Sequence, residues 1–157
     1  MVKVCILLTL IISNIAFSQN LQSEKIREIV TSKKSIYLKK GIFHKSGTKI
    51  NGNLSSIRHS FTANNGYERM VFDFSSKTVP RMYGYISSKN KKLYIDLFDT
   101  TLSDNLGDFG NSKFIKAVNF FPVSKTTISL EVIFKEIVKV DIFHLQSPGR
   151  LVIDILK

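Results

Sequence analysis

The sequence predicts an all-β protein: a sandwich of two pseudo-repeated, roughly four-stranded sheets, carrying a basic N-terminal extension. Three observations lead there. From about Ile50 onward, apolar and polar side chains alternate in short runs, the mark of strands with one buried face. Asn, Gly, Ser and Pro separate those runs at roughly 8–12 residue intervals, as in sandwiches. The second half also repeats the first at a fixed offset of 58 residues, without gaps. Arg69-Met-Val-Phe-Asp-Phe74 lies over Thr127-Ile-Ser-Leu-Glu-Val132, and Lys92-Leu-Tyr-Ile-Asp-Leu97 over Arg150-Leu-Val-Ile-Asp-Ile155. Gly52-Asn53 lies over Gly110-Asn111. An offset held across separate blocks points to one supersecondary unit used twice, over residues 50–97 and 108–155.

Residues 1–18 read as an export signal. Lys3 supplies the positive end, Val4 to Ile12 the apolar run, and Ala16-Phe17-Ser18 a small-x-small cleavage site. The run is shorter than the ~20 residues of a membrane span, so no span is expected after cleavage. The one cysteine, Cys5, lies inside this leader. The mature chain is therefore expected to have no disulfide, thiolate metal site or cysteine nucleophile, which suits a periplasmic protein that relies on its core.

Residues 19–49 form the basic extension, expected to be partly ordered at best. Residues 21–50 hold eight basic and two acidic side chains, against fourteen and ten over 51–157. Ser23 to Val30 has the spacing of a short amphipathic helix, with Ser23 as N-cap and Ile26, Ile29 and Val30 on one face. Ile36-Tyr37-Leu38 and Gly41-Ile42-Phe43 read as strand fragments between lysine pairs. Such a segment favours anionic envelope polymers, lipid head groups or an acidic partner. An exported address leaves no nucleic-acid partner.

The first unit then reads as four strands. Ser56 to Phe61 is followed by the hairpin signal Asn64-Asn65-Gly66. Tyr67 to Phe74 puts Met70, Phe72 and Phe74 on one face. Arg81 to Ile86 is the third run, and Leu93 to Phe98 the fourth, with Leu93, Ile95 and Leu97 inward. Asp99 to Asn111 is a loop by its Asp and Gly content. The second unit repeats the plan in Phe114–Phe121, Thr126–Phe134, Val138–Leu145 and Leu151–Leu156, with a turn around Pro122 to Lys125. Each unit alone exposes an apolar face, which packing the pair together buries.

Three stretches resemble the AMIN domain family. They are Tyr67-Glu-Arg-Met-Val-Phe-Asp-Phe74, Lys92-Leu-Tyr-Ile-Asp-Leu97 and Gly149-Arg-Leu-Val-Ile-Asp-Ile155, in that order. The resemblance covers Ile50 to Lys157. It implies a sandwich of two related sheets in the bacterial periplasm and a non-catalytic role in binding, or localising to, peptidoglycan.

Arg69, Lys92 and Arg150 each precede an aspartate by four residues, so basic and acidic groups share a strand face. One reading is cross-strand ion pairing that fixes register, worth about 0.2–1 kcal/mol each. The other is a polar face that receives carboxylates, amides and hydroxyls, for which the planar arginine fork is suited. Arg81, Tyr83 and Tyr85 alternate on one face of a strand, with Tyr94 matching on the next. They read either as a platform for sugar rings or as simple cross-strand partners. Phe120-Phe121-Pro122 is either edge packing or an exposed tip for a partner protein.

His44, His59 and His144 stand apart, without ligand spacing, so no metal or cofactor is expected. No GxSxG elbow and no glycine-rich phosphate loop occurs. The expectation is therefore a non-enzymatic, exported module that binds peptidoglycan or an anionic envelope polymer. The lack of an effector segment alongside it favours an alternative, an adaptor that holds a secretin, pilus or division protein.

Overall fold

Alternation in the sequence becomes strand burial almost residue for residue. Tyr67–Phe74 and Thr127–Phe134 bury every second side chain along their whole length. A computed structural model describes residues 26–107 and 110–157. The expected leader over 1–18 lies outside the described residues.

The strands are β1 (Ile26–Glu28), β2 (Lys40–Lys45), β3 (Gly52–Thr62), β4 (Tyr67–Phe74), β5 (Met82–Ser87) and β6 (Lys92–Phe98). They continue as β7 (Thr100–Leu102), β8 (Ile115–Ser124), β9 (Thr127–Phe134), β10 (Lys139–Leu145) and β11 (Arg150–Leu156). They form a six-stranded sheet ordered β1-β2-β5-β6-β9-β8 and a five-stranded sheet ordered β10-β11-β4-β3-β7. The protein is an all-β sandwich, as the alternation predicts.

The repeat is built into it in a way that the offset does not reveal. Moving 58 residues along carries β3, β4, β5 and β6 onto β8, β9, β10 and β11. Applied to the block β5-β6-β9-β8 of one sheet, that exchange yields the block β10-β11-β4-β3 of the other. Each sheet thus takes one hairpin from each unit, and neither unit makes a sheet alone. The seams between units are β6–β9 and β11–β4, both antiparallel. At one seam Arg150 faces Asp73 and Arg69 faces Asp154. The other is slipped by two residues, so that Lys92 faces Ile133 rather than Glu131. A slip of two keeps every side chain on its own face.

Both inner faces meet in a single core that includes Phe43, Leu54, Met70, Phe72, Ile95, Leu130 and Ile153. Burying each of these side chains contributes about 1.5–3 kcal/mol. One charged group is drawn into this interior. Glu68 is fully buried at one end, accepts the Phe114 N–H at 2.7 Å and lies 2.8 Å from His59 Nδ1. It pins the chain where β8 begins.

The basic stretch differs most from expectation. It is no free arm: β2 pairs antiparallel with β5, and β1 pairs parallel with β2. The helix expected over Ser23–Val30 is replaced by β1 at Ile26–Glu28, while Ser23–Lys25 lie outside the described residues. An open sheet edge offers backbone hydrogen bonds that a local pattern of about two turns does not outweigh. Between β1 and β2 the chain crosses to the other sheet and runs along β10. The His144 N–H donates to the Val30 carbonyl, and Leu38 and Val140 exchange two hydrogen bonds. Of the fragments expected there, Gly41–Phe43 lies within β2, whereas Ile36-Tyr37-Leu38 contributes only this bridge.

Phe43 locks the segment in place. It is fully buried, and its ring lies over Gly84 so closely that a Cβ there would overlap it. The Asp99–Asn111 connection also differs from a plain loop. Its first residues form β7, parallel to β3, and Asp108 and Phe109 lie outside the described residues.

Candidate binding face

Alternation fixes which side chains of β5 and β6 look outward. Met82, Gly84 and Ile86 point into the core, so Tyr83 and Tyr85 face out. Leu93, Ile95 and Leu97 point in, so Lys92, Tyr94, Asp96 and Phe98 face out. Pairing then lines them up across the sheet. Ile42, Tyr85, Tyr94 and Glu131 form one row, and His44, Tyr83, Asp96 and Ser129 the next. Tyr83 is 43% exposed, Tyr94 36% and Phe98 37%.

The charges on this face are held by neighbours. The Lys92 ammonium lies 2.7 Å from Glu131, to which the Asn119 amide also donates. That hydrogen bond raises the Lys92 pKa and lowers that of Glu131. Arg81 Nη2 donates to Asp99 at 2.7 Å and Nε at 3.2 Å. These bonds, then the Arg81 and Lys49 charges, hold the Asp99 carboxyl below its usual range. Beside them a groove of about 570 Å³ is lined by His44, Lys45, Arg81, Tyr83 and Phe98, among others.

Five of the seven sequence candidates therefore share one face: Arg81, Tyr83, Tyr85, Lys92 and Tyr94. Arg69 and Arg150 do not join them, because β4 and β11 belong to the five-stranded sheet. Arg69 grips Asp154 through Nε and Nη2, at 2.6 and 2.8 Å, and Lys33 reaches the same carboxylate at 2.6 Å. Lys33 also lies 4.1 Å from the Tyr67 ring, a cation–π contact. Arg69 is thus paired across strands, whereas Arg150, which faces Asp73, has its Nε buried without a hydrogen-bond partner among the described residues. Asp73 is bound by Arg58 through Nε and Nη2. The resulting hydrogen bonds lower its pKa, with Ser56 and the charge of facing Arg150 assisting.

The segment that follows β1 also changes Asp141. This carboxylate is buried directly across from Asp154, and one of its oxygens finds no hydrogen-bond partner. Burial, then the nearby Asp154 charge, pushes its pKa up despite backbone N–H groups of Ser35 and Ile36.

Sequence reasoning missed His44, Lys45, Phe98 and Asp99. Phe98 was legible, since it continues the outward period of Tyr94 and Asp96. His44 and Lys45 carried no signal, because nothing local shows that β2 docks beside β5. The Phe120–Pro122 cluster divides: Phe120 packs against the core, whereas Phe121 is 51% and Val123 66% exposed. Among the described residues, no group of three or more His, Cys, Asp or Glu side chains is gathered as for a metal. Nor is any helix there long and apolar enough to cross a membrane.

No protein-family model matches the chain, and neither does any curated protein or solved structure.

Proposed function

We propose that the protein is an exported cell-envelope module that associates non-covalently with peptidoglycan and so localises to the wall in the periplasm. The observation that carries this reading is the outer face of the six-stranded sheet. Exposed Tyr83 and Tyr94, with Phe98 beside a groove, share it with Arg81 and Lys92. Rigid aromatic planes next to cations are suited to sugar rings bearing anionic substituents. The AMIN-like order of the three strand motifs, the leader-like residues 1–18 and the pairing of two related sheets also support it. The role is binding, without catalysis.

The test is sedimentation of residues 19–157 with purified sacculi. Most of the protein is expected in the pellet, and far less with an unrelated insoluble polysaccharide. Equal partition onto both would sink the proposal.

A second reading, an adaptor for an envelope machine, draws on the exposed Phe121 and Val123 at the tip of the β8–β9 hairpin. An apolar tip of this kind fits a protein partner. Under this reading, a pulldown from envelope extract recovers a stoichiometric partner, and Phe121→Ser loses it.

A further inference from the structure

We infer that the groove lined by Tyr83 and Phe98, together with the polar crevice next to it, takes a glycan strand stripped of its stem peptides, whose sugars carry free carboxylates. This rests on the wall-binding reading and deepens it: the saccharide, rather than the stem peptide, is what the protein recognises.

Two depressions meet at one ion pair. The groove of about 570 Å³ includes Arg81 in its wall, and a crevice of about 360 Å³ includes Asp99. Those two side chains are joined by two hydrogen bonds. A ligand lying across both is extended, as a short oligosaccharide is.

The two halves offer different chemistry. The groove presents the exposed rings of Tyr83 and Phe98, planes against which the C–H face of a pyranose packs. The crevice presents Asn51, Asn53, Ser75, Thr101 and Thr126, side chains that both donate and accept. Sugar hydroxyls and acetamido groups require such two-way partners. Several of the side chains are already oriented. Asn53 Nδ2 donates to Thr101 Oγ1 at 3.0 Å, and Asn53 N–H to Ser75 Oγ at 3.2 Å.

Charge selects among glycans. Arg81 and Lys49 neutralise Asp99. Lys45 interacts with Glu28, which accepts from the Ser46 hydroxyl, and Asp96 lies across from Tyr83. Arg81 is thus the cation of the groove with a donor to spare. Arg81 uses Nε and Nη2 on Asp99 and leaves Nη1 without a hydrogen-bond partner among the described residues. That geometry suits a carboxylate arriving from the groove side.

The backbone holds the junction still. Asp99 adopts a left-handed φ of 54°, and its carbonyl accepts the Gly52 N–H at 2.8 Å. Peptide recognition by strand addition is disfavoured here. Every strand that floors the groove, β2, β5 and β6, is already paired on both sides.

The experiment compares four probes on residues 19–157: intact sacculi, soluble peptide-free glycan strands from the wall, soluble stem peptides, and a polyuronate. Peptide-free glycan is expected to bind and to displace the protein from sacculi, while stem peptides do neither. Phe98→Ala, at an exposed position, and Arg81→Gln, at a half-buried one, are each expected to weaken glycan binding about fivefold or more with unchanged circular dichroism. Carboxyl-reduced glycan is expected to bind more weakly than the native strand. If stem peptides displace the protein and glycan does not, the inference is overturned while wall binding stands. Equal binding of native and carboxyl-reduced glycan overturns the carboxylate assignment. A polyuronate that binds when sacculi do not would keep the acidic-glycan site and sink the wall as its source. Loss of binding to every probe overturns both.

Discussion

Asp154 is a carboxylate fully buried between Arg69 and Lys33. Asp154→Ala is expected to lower stability by about 1.5–3 kcal/mol, the usual loss for a hydrogen bond to a charged group, measured by urea unfolding. Its neighbour Asp141 acts in the opposite sense. Burial raises the Asp141 pKa in the folded state, so folding disfavours its charged form. The penalty is absent below the unfolded-state pKa of about 3.9 and grows as pH rises through the folded value. Asp141→Asn is therefore expected to be more stable than the parent at pH 7, with the difference vanishing toward pH 3. A less stable variant at pH 7 would contradict this. Asp73 has a lowered pKa through Arg58. Its contribution is present above the unfolded pKa and is lost as pH falls through the folded one. Arg58→Ala should remove about 0.5–1 kcal/mol at pH 7, since the arginine is largely exposed, and less in acid. At this scale, alternation alone made the outward set of Arg81, Tyr83, Tyr85, Lys92 and Tyr94 legible. Partners were not, because Arg69 meets Asp154 across 85 residues of sequence.

The β1–β2 segment shows where element-level reading runs out. Ile26, Ile29 and Val30 have helical spacing, yet β1 forms because β2 and the β10 edge offer backbone partners. Gly41–Phe43, read from the sequence as a strand fragment between lysine pairs, lies within β2, and its phenylalanine is fully buried. Phe43→Ala is expected to cost about 3–5 kcal/mol, the range for emptying a core phenylalanine site. Gly84→Ala should also destabilise, since the new methyl meets the Phe43 ring. Combining Gly84→Ala with Phe43→Leu, which vacates ring space, should recover part of that loss in thermal melts. Purely additive losses would mean that the Gly84–Phe43 contact does not set the fit. By contrast, β4, β6, β9 and β11 were plain in the sequence. They are the central strands, paired on both sides and buried on their inner faces, so their pattern is the most constrained.

For the whole molecule, the 58-residue offset made two related sheets legible but not the exchange of hairpins between them. Periodicity records which face a residue occupies and is silent on which strand lies beside it. That exchange makes the two units interdependent, so unfolding is expected to be a single transition by both fluorescence and circular dichroism. The two outer faces nonetheless differ in the side chains that they carry. The five-stranded face ties Arg69 to Asp154 and Lys33, while the six-stranded face keeps its tyrosines open to solvent. The proposed wall binding is assigned to the open face. The most direct measurement is sedimentation of residues 19–157 with purified sacculi across a salt series, beside the double variant Tyr83→Ala/Tyr94→Ala. The parent should pellet and retain much of its binding at high salt, because aromatic packing is little screened, and the variant should stay largely in solution. A variant that pellets as well as the parent, or a parent released fully by salt, would contradict the assignment of binding to this face.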